Sequence, residues 1–103
     1  MRHDKLVRDF IPQLIEDDGN EPIIRKLENE EYFQALKDKL NEEVSEYIES
    51  EDPEELADVI EIIRALINHH SMTYDELETS RETKKEERGA YEERIFLEEV
   101  IET

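Results

Sequence analysis

Cysteine is absent from this 103-residue chain. That excludes a disulfide framework and any thiolate metal site. Tryptophan is absent too, and no apolar run approaches the length of a membrane span. The start, Met1-Arg2-His3-Asp4-Lys5, leads into no signal-peptide core. The expected location is the cytoplasm, with no membrane partner. Basic residues are scarce: 13 Lys and Arg stand against 31 Asp and Glu, for a net charge of −18. Such a surface repels phosphate backbones, so duplex nucleic acid is not an expected partner. Free nucleotides are repelled as well unless metal ions and local basic groups offset the charge. Disordered acidic tails and salt-adapted surfaces share this composition. Disorder is disfavoured because apolar residues recur with helical period.

Glycine occurs twice and proline three times, and each falls where a break makes sense. Asp9 is placed to cap a helix through Leu14 and Ile15, with Pro12 in its first turn and Gly19 at its end. Glu21-Pro22-Ile23-Ile24-Arg25 reads as extended. Asn29 is the expected N-cap of a long helix from about Glu30 to Glu49. Asp52 is the expected cap of the next, with Pro53 first and Glu55 in capping-box position; it runs to about His69. Thr73 and Glu76 form another capping box, and Gly89 ends the helix they open. The tail carries Ile95-Phe96-Leu97 and Val100-Ile101, apolar enough to pack. The reading is a single all-α domain over residues 1–103, with a helical hairpin at its centre. At this length its core is thin, so oligomerisation would help.

Acids dominate the hairpin. Glu42-Glu43-x-x-Glu46 precedes the turn and Glu55-x-x-Asp58 comes after it. An i, i+3 spacing puts two side chains on one helix face. An α-helix advances about 100° per residue. With Leu36 at zero, Phe33, Leu40, Val44, Tyr47 and Tyr32 define an apolar arc. Glu43 falls inside it near 340°, Glu46 at its edge near 280°, and Glu42 outside it near 240°, by the same roughly 100° step. On the next helix, Leu56, Val59, Ile60, Ile62, Ile63, Leu66 and Ile67 define the arc. Glu55 lies inside that arc and Asp58 at its edge. In so acidic a chain, ordinary surface acids would produce such spacings by chance. A core-facing glutamate, however, is costly unless it is paired or binds a metal.

Oxygen donors without cysteine suit a hard cation such as Mg²⁺ or Mn²⁺, which can bridge carboxylates to substrate phosphates. No glycine-rich phosphate loop is present. Phosphates would need basic side chains: Lys5 and Arg8 beside Leu6-Val7, or Lys84, Lys85 and Arg88 near the end of the last helix. Solvated charge, or cations balancing a helix dipole, explains each of these individually as well. Adjacent His69 and His70 do not face together on a helix and read as polar residues at its end. Lys39 stands in register with Glu43 and suits a surface ion pair.

Four segments carry a family resemblance. They are Lys5-Leu6-Val7-Arg8-Asp9-Phe10-Ile11-Pro12, Lys39-Leu40-Asn41-Glu42-Glu43-Val44-Ser45-Glu46, Glu54-Glu55-Leu56-Ala57-Asp58-Val59-Ile60 and Arg88-Gly89-Ala90-Tyr91-Glu92-Glu93-Arg94-Ile95. Through them the chain resembles the all-α nucleoside triphosphate pyrophosphohydrolases of the MazG and phosphoribosyl-ATP pyrophosphohydrolase superfamily. The resemblance implies Mg²⁺-dependent cleavage of a nucleotide to monophosphate and pyrophosphate. It implies Glu43, Glu46, Glu55 and Asp58 as metal ligands, Glu42 as the acid that positions or deprotonates water, and Lys5, Arg8, Lys84 and Arg88 as phosphate contacts. It also implies a homodimer or homotetramer of helical protomers. The K-L-V-R-D start leans towards the MazG-like, nucleotide-pool-cleaning branch; the other branch would serve histidine biosynthesis. The spacer Tyr47–Glu54 is shorter than the family's usual separation of its acidic motifs. A non-catalytic helical interaction module and a nucleotide or ion sensor are the competing expectations.

Overall fold

Punctuation in the sequence decides where the helices stop. The computed structural model describes residues 2–102. Among them are four α-helices and no strand: α1 Ile11–Asp17, α2 Asn29–Ser50, α3 Glu55–His69 and α4 Tyr74–Arg88. The architecture is all-α as expected. None of these helices is long and apolar enough to cross a membrane. The chain divides into two compact units, Met1–Ser71 and Met72–Thr103.

In the first unit α2 and α3 pack against each other. Only residues 51–54 connect them, and so short a connection makes neighbouring helices antiparallel. Glu51 ends α2 in the left-handed region at φ 58° and donates its N–H to the Tyr47 carbonyl. That conformation costs a side-chain-bearing residue roughly 1–2 kcal/mol, and hydrogen bonds around Asp52 hold the turn against it. Asp52 donates its N–H to Ser50 Oγ, and its Oδ1 accepts the Glu54 N–H at 3.0 Å.

The start of α3 differs from the expected capping box. Glu55, Leu56 and Ala57 donate to the carbonyls of Asp52, Pro53 and Glu54, three residues back. These tighter turns delay the α-helix to Glu55. Asp52 caps through Glu54 instead, and the Glu55 carboxylate is left to the hairpin interior. Two other caps also shift. α1 is preceded by Phe10 rather than capped by Asp9, because the Ile11 N–H closes a turn onto the Arg8 carbonyl. α2 takes in Asn29 as its first residue, since Glu28 already holds the extended cap conformation. Gly19, at φ 85°, supplies the left-handed conformation that ends α1. Residues 21–25 hold no regular structure, and Arg25 grips Glu31 of α2 through two hydrogen bonds of 3.1 and 2.8 Å.

The core is thin. Leu36 is 1% exposed and Ile67 6%, and the next most buried residue is Glu43 at 8%. The apolar arcs are wider than the faces they bury. Val44, Ile48, Leu56 and Ile60 stay exposed. Their helical phases place these four on one lateral face of the hairpin, while Glu42, Glu46 and Asp58 lie towards the other. At the open end His69 stacks on Phe33 at 4.3 Å, so its ring serves packing.

In the second unit, Thr73 Oγ1 accepts the Glu76 N–H while the Glu76 carboxylate accepts the Thr73 N–H, the expected capping box. Gly89 closes α4 at φ 83°. Among the described residues the tail holds no regular structure, and Ile95, Phe96 and Leu97 stay exposed rather than packed.

Because so few apolar side chains are fully buried, each one matters. Leu36→Ala is expected to cost about 3 kcal/mol, within the usual range for such truncations. Val44→Ala, at an exposed position, should cost well under half as much. Urea unfolding of the two variants checks the contrast.

Candidate metal centre

The short turn decides the site. Antiparallel helices joined there bring the last turns of α2 beside the first turns of α3. An oxygen from each of Glu43, Glu55 and Asp58 lies within 4.8 Å of the other two, and the same holds for Glu42, Glu43 and Glu46. Glu43 belongs to both groups. Glu46, Glu49, Ser50 and Glu55 line a shallow depression at the same end. All five acids singled out in the sequence therefore gather around one turn.

Burial and neighbouring charge both act on two of these acids. Burial raises the Glu43 carboxyl above the ordinary glutamate value; the charge of Glu46 and a hydrogen bond with it add to the effect, and Lys39 opposes it. Partial burial likewise raises Glu55, with smaller contributions from the charges of Glu46 and Asp58, a hydrogen bond with Asp58 and the charge of Glu43. At Glu43 and Glu55, then, neighbouring acids add to what burial already makes costly.

Lys39 and Arg8 hold the cluster in check. Lys39 Nζ lies 3.4 Å from both Glu42 Oε1 and Glu43 Oε1, and its side chain is only 17% exposed. The sequence suggested a surface pair; the structure sinks this lysine beside the acids. Its helical register was the available signal. Arg8 Nη2 lies 2.7 Å from Asp58 Oδ1. The two residues are 50 positions apart, and no local periodicity reports such a contact. Lys5 is exposed in the same N-terminal segment. Lys84 and Arg88 are exposed on the last two turns of α4, in the second unit, where cations also balance the helix dipole.

The donor set tests what ion fits. Every candidate ligand atom is a carboxylate oxygen. Hard cations such as Mg²⁺ or Mn²⁺ prefer that chemistry, and soft ions that need sulfur or imidazole do not.

No protein-family model matches the chain, and no solved structure matches it. An uncharacterised protein of Mycolicibacterium smegmatis is 55% identical over 42 residues, which cover 41% of this chain and 43% of that protein. The match thus spans less than half of either protein.

A carboxyl raised in the folded state binds protons better there than in the unfolded chain. Its contribution to stability is complete below the ordinary glutamate value and is lost as pH rises through the raised one. Glu43 and Glu55 should therefore weaken the metal-free fold between weakly acidic and neutral pH. Glu43→Gln removes one of these groups. With EDTA present it should be more stable than wild type at neutral pH, and the gap should close as pH falls below the ordinary glutamate range. Urea midpoints across that range check both the sign and the window.

Proposed function

We propose that this chain is a metal-dependent nucleotide pyrophosphohydrolase of the MazG-like kind, acting in the cytoplasm. The observation that carries the proposal is the meeting of Glu43 from α2 with Glu55 and Asp58 from α3. Glu43, Glu46, Glu55 and Asp58 would hold Mg²⁺, or Mn²⁺ in its place. When bound, such an ion neutralises carboxylates and phosphates together and polarises phosphorus for attack.

The chain's own groups supply the rest. Glu42 keeps one carboxylate at the rim, half-exposed and steadied by Lys39, where it can accept a proton from an attacking water. Water attack at the α-phosphorus forms one P–O bond and breaks the bond to the β-phosphate oxygen. The proton goes to Glu42, and the products are the monophosphate and pyrophosphate. Arg8 and Lys5 stand on the N-terminal segment as phosphate contacts; the matching roles of Lys84 and Arg88 rest on the family resemblance. The lateral strip of Val44, Ile48, Leu56 and Ile60 supports assembly into a homodimer or homotetramer, which would cover apolar surface that one hairpin leaves wet.

Turnover is the test. Pure protein with Mg²⁺ or Mn²⁺ is incubated with deoxynucleoside and nucleoside triphosphates and phosphoribosyl-ATP, and pyrophosphate is measured against orthophosphate. At least one substrate should release pyrophosphate. Loss of a residue that merely supports a metal ligand typically costs 10–100-fold, so Glu43→Gln and Asp58→Asn should each lower the rate by about 100-fold or more. No release from any substrate, or release that survives both substitutions, contradicts the proposal.

A further inference from the structure

Arg8 contacts Asp58 at 2.7 Å through a single guanidinium nitrogen, Nη2, on a single carboxylate oxygen, Oδ1. Asp58 is also one of the three acids whose oxygens converge within 4.8 Å. The guanidinium is therefore bound to a carboxylate of the cluster that a divalent ion would use. Both side chains of the pair are partly exposed, so little packing holds Arg8 in place. Lys39 is different: it is sunk between Glu42 and Glu43 on its own helix, with 17% of its side chain exposed. Lys39 is thus a fixed cation of the cluster, and Arg8 is one that can leave.

We infer that Arg8 is an exchangeable counter-ion: it neutralises Asp58 in the ion-free protein, yields that carboxylate to the divalent metal, and then turns its fork of donors to the substrate's phosphate. The inference rests on the proposed metal site and adds an order of events to it. Two cations cannot share the Asp58 carboxylate without mutual repulsion, so metal binding weakens the Arg8 contact. A freed guanidinium matches phosphate oxygens bidentately, which a lysine cannot do. The same side chain therefore opposes metal binding when substrate is absent and favours it when substrate is present. That couples the two ligands: each binds better after the other.

The prediction is a reversal of sign. Calorimetric titration of metal-stripped full-length protein with Mn²⁺ alone should show Arg8→Gln binding about two- to fivefold more tightly than wild type, the scale of an exposed ion pair. Titration with a non-hydrolysable α,β-methylene nucleoside triphosphate in saturating Mg²⁺ should show Arg8→Gln binding about tenfold more weakly, as expected for loss of a charge-assisted phosphate contact. Arg2→Gln is the charge control; Arg2 pairs with Asp4 instead, and its loss should leave Mn²⁺ affinity unchanged. If Arg8→Gln binds Mn²⁺ no tighter than wild type, or if Arg2→Gln gains as much, the exchange is wrong while the metal site stands. If no variant binds Mn²⁺ at all, the metal site and the exchange fall together.

Discussion

The crowding of carboxylates, one of them buried, at one end of a helical hairpin is the constraint around which this structure is arranged. Glu43 is almost as buried as Ile67, the second most buried apolar residue. A charge placed so deep needs a partner. Lys39 supplies one from its own helix, and Arg8 supplies another to Asp58 from the N-terminal segment. Neither offsets the whole cluster, because the Glu43 and Glu55 carboxyls remain raised. A cluster left short of positive charge is poorly designed for stability and well suited to attract a cation.

The backbone explains why the acids cannot spread apart. Residues 51–54 leave no slack between α2 and α3. Asp52 and Ser50 tie the turn down, and the tight first turns before α3 free Glu55 from capping. The short spacer Tyr47–Glu54 is therefore the feature that closes the acids on one another. The same economy leaves a thin core, with Leu36 and Ile67 the buried apolar residues among those described. Much of the apolar surface that periodicity marks out stays exposed, and a second copy is the covering proposed for the strip beside the turn.

Much of this was legible in the residues. Helical phase placed Glu43 and Glu55 inward and Glu46 and Asp58 at the margin, because carboxylates three apart share a face whatever the tertiary structure. Thr73 with Glu76, and the two glycines, marked their boundaries for equally local reasons. Asp9, Asn29 and Asp52 misled by one or two residues, since several polar residues compete for each cap and backbone turns decide among them. The apolar arcs overstated burial, because periodicity reports what a face can bury and not what covers it. The Arg8–Asp58 pair was invisible, as contacts between distant segments leave no local pattern.

Metal-linked stability tests the central claim most directly, without depending on any substrate. Thermal unfolding of EDTA-stripped protein is monitored in rising MgCl₂ and in NaCl of matched ionic strength. General screening of the −18 charge acts in both salts. Binding at one site adds about 2.7 kcal/mol at a ligand concentration one hundred times its dissociation constant. Mg²⁺ should therefore raise the midpoint at least about 5 °C beyond the NaCl series, and Asp58→Asn should abolish that excess. Coincident Mg²⁺ and NaCl curves for the wild-type protein would contradict the account.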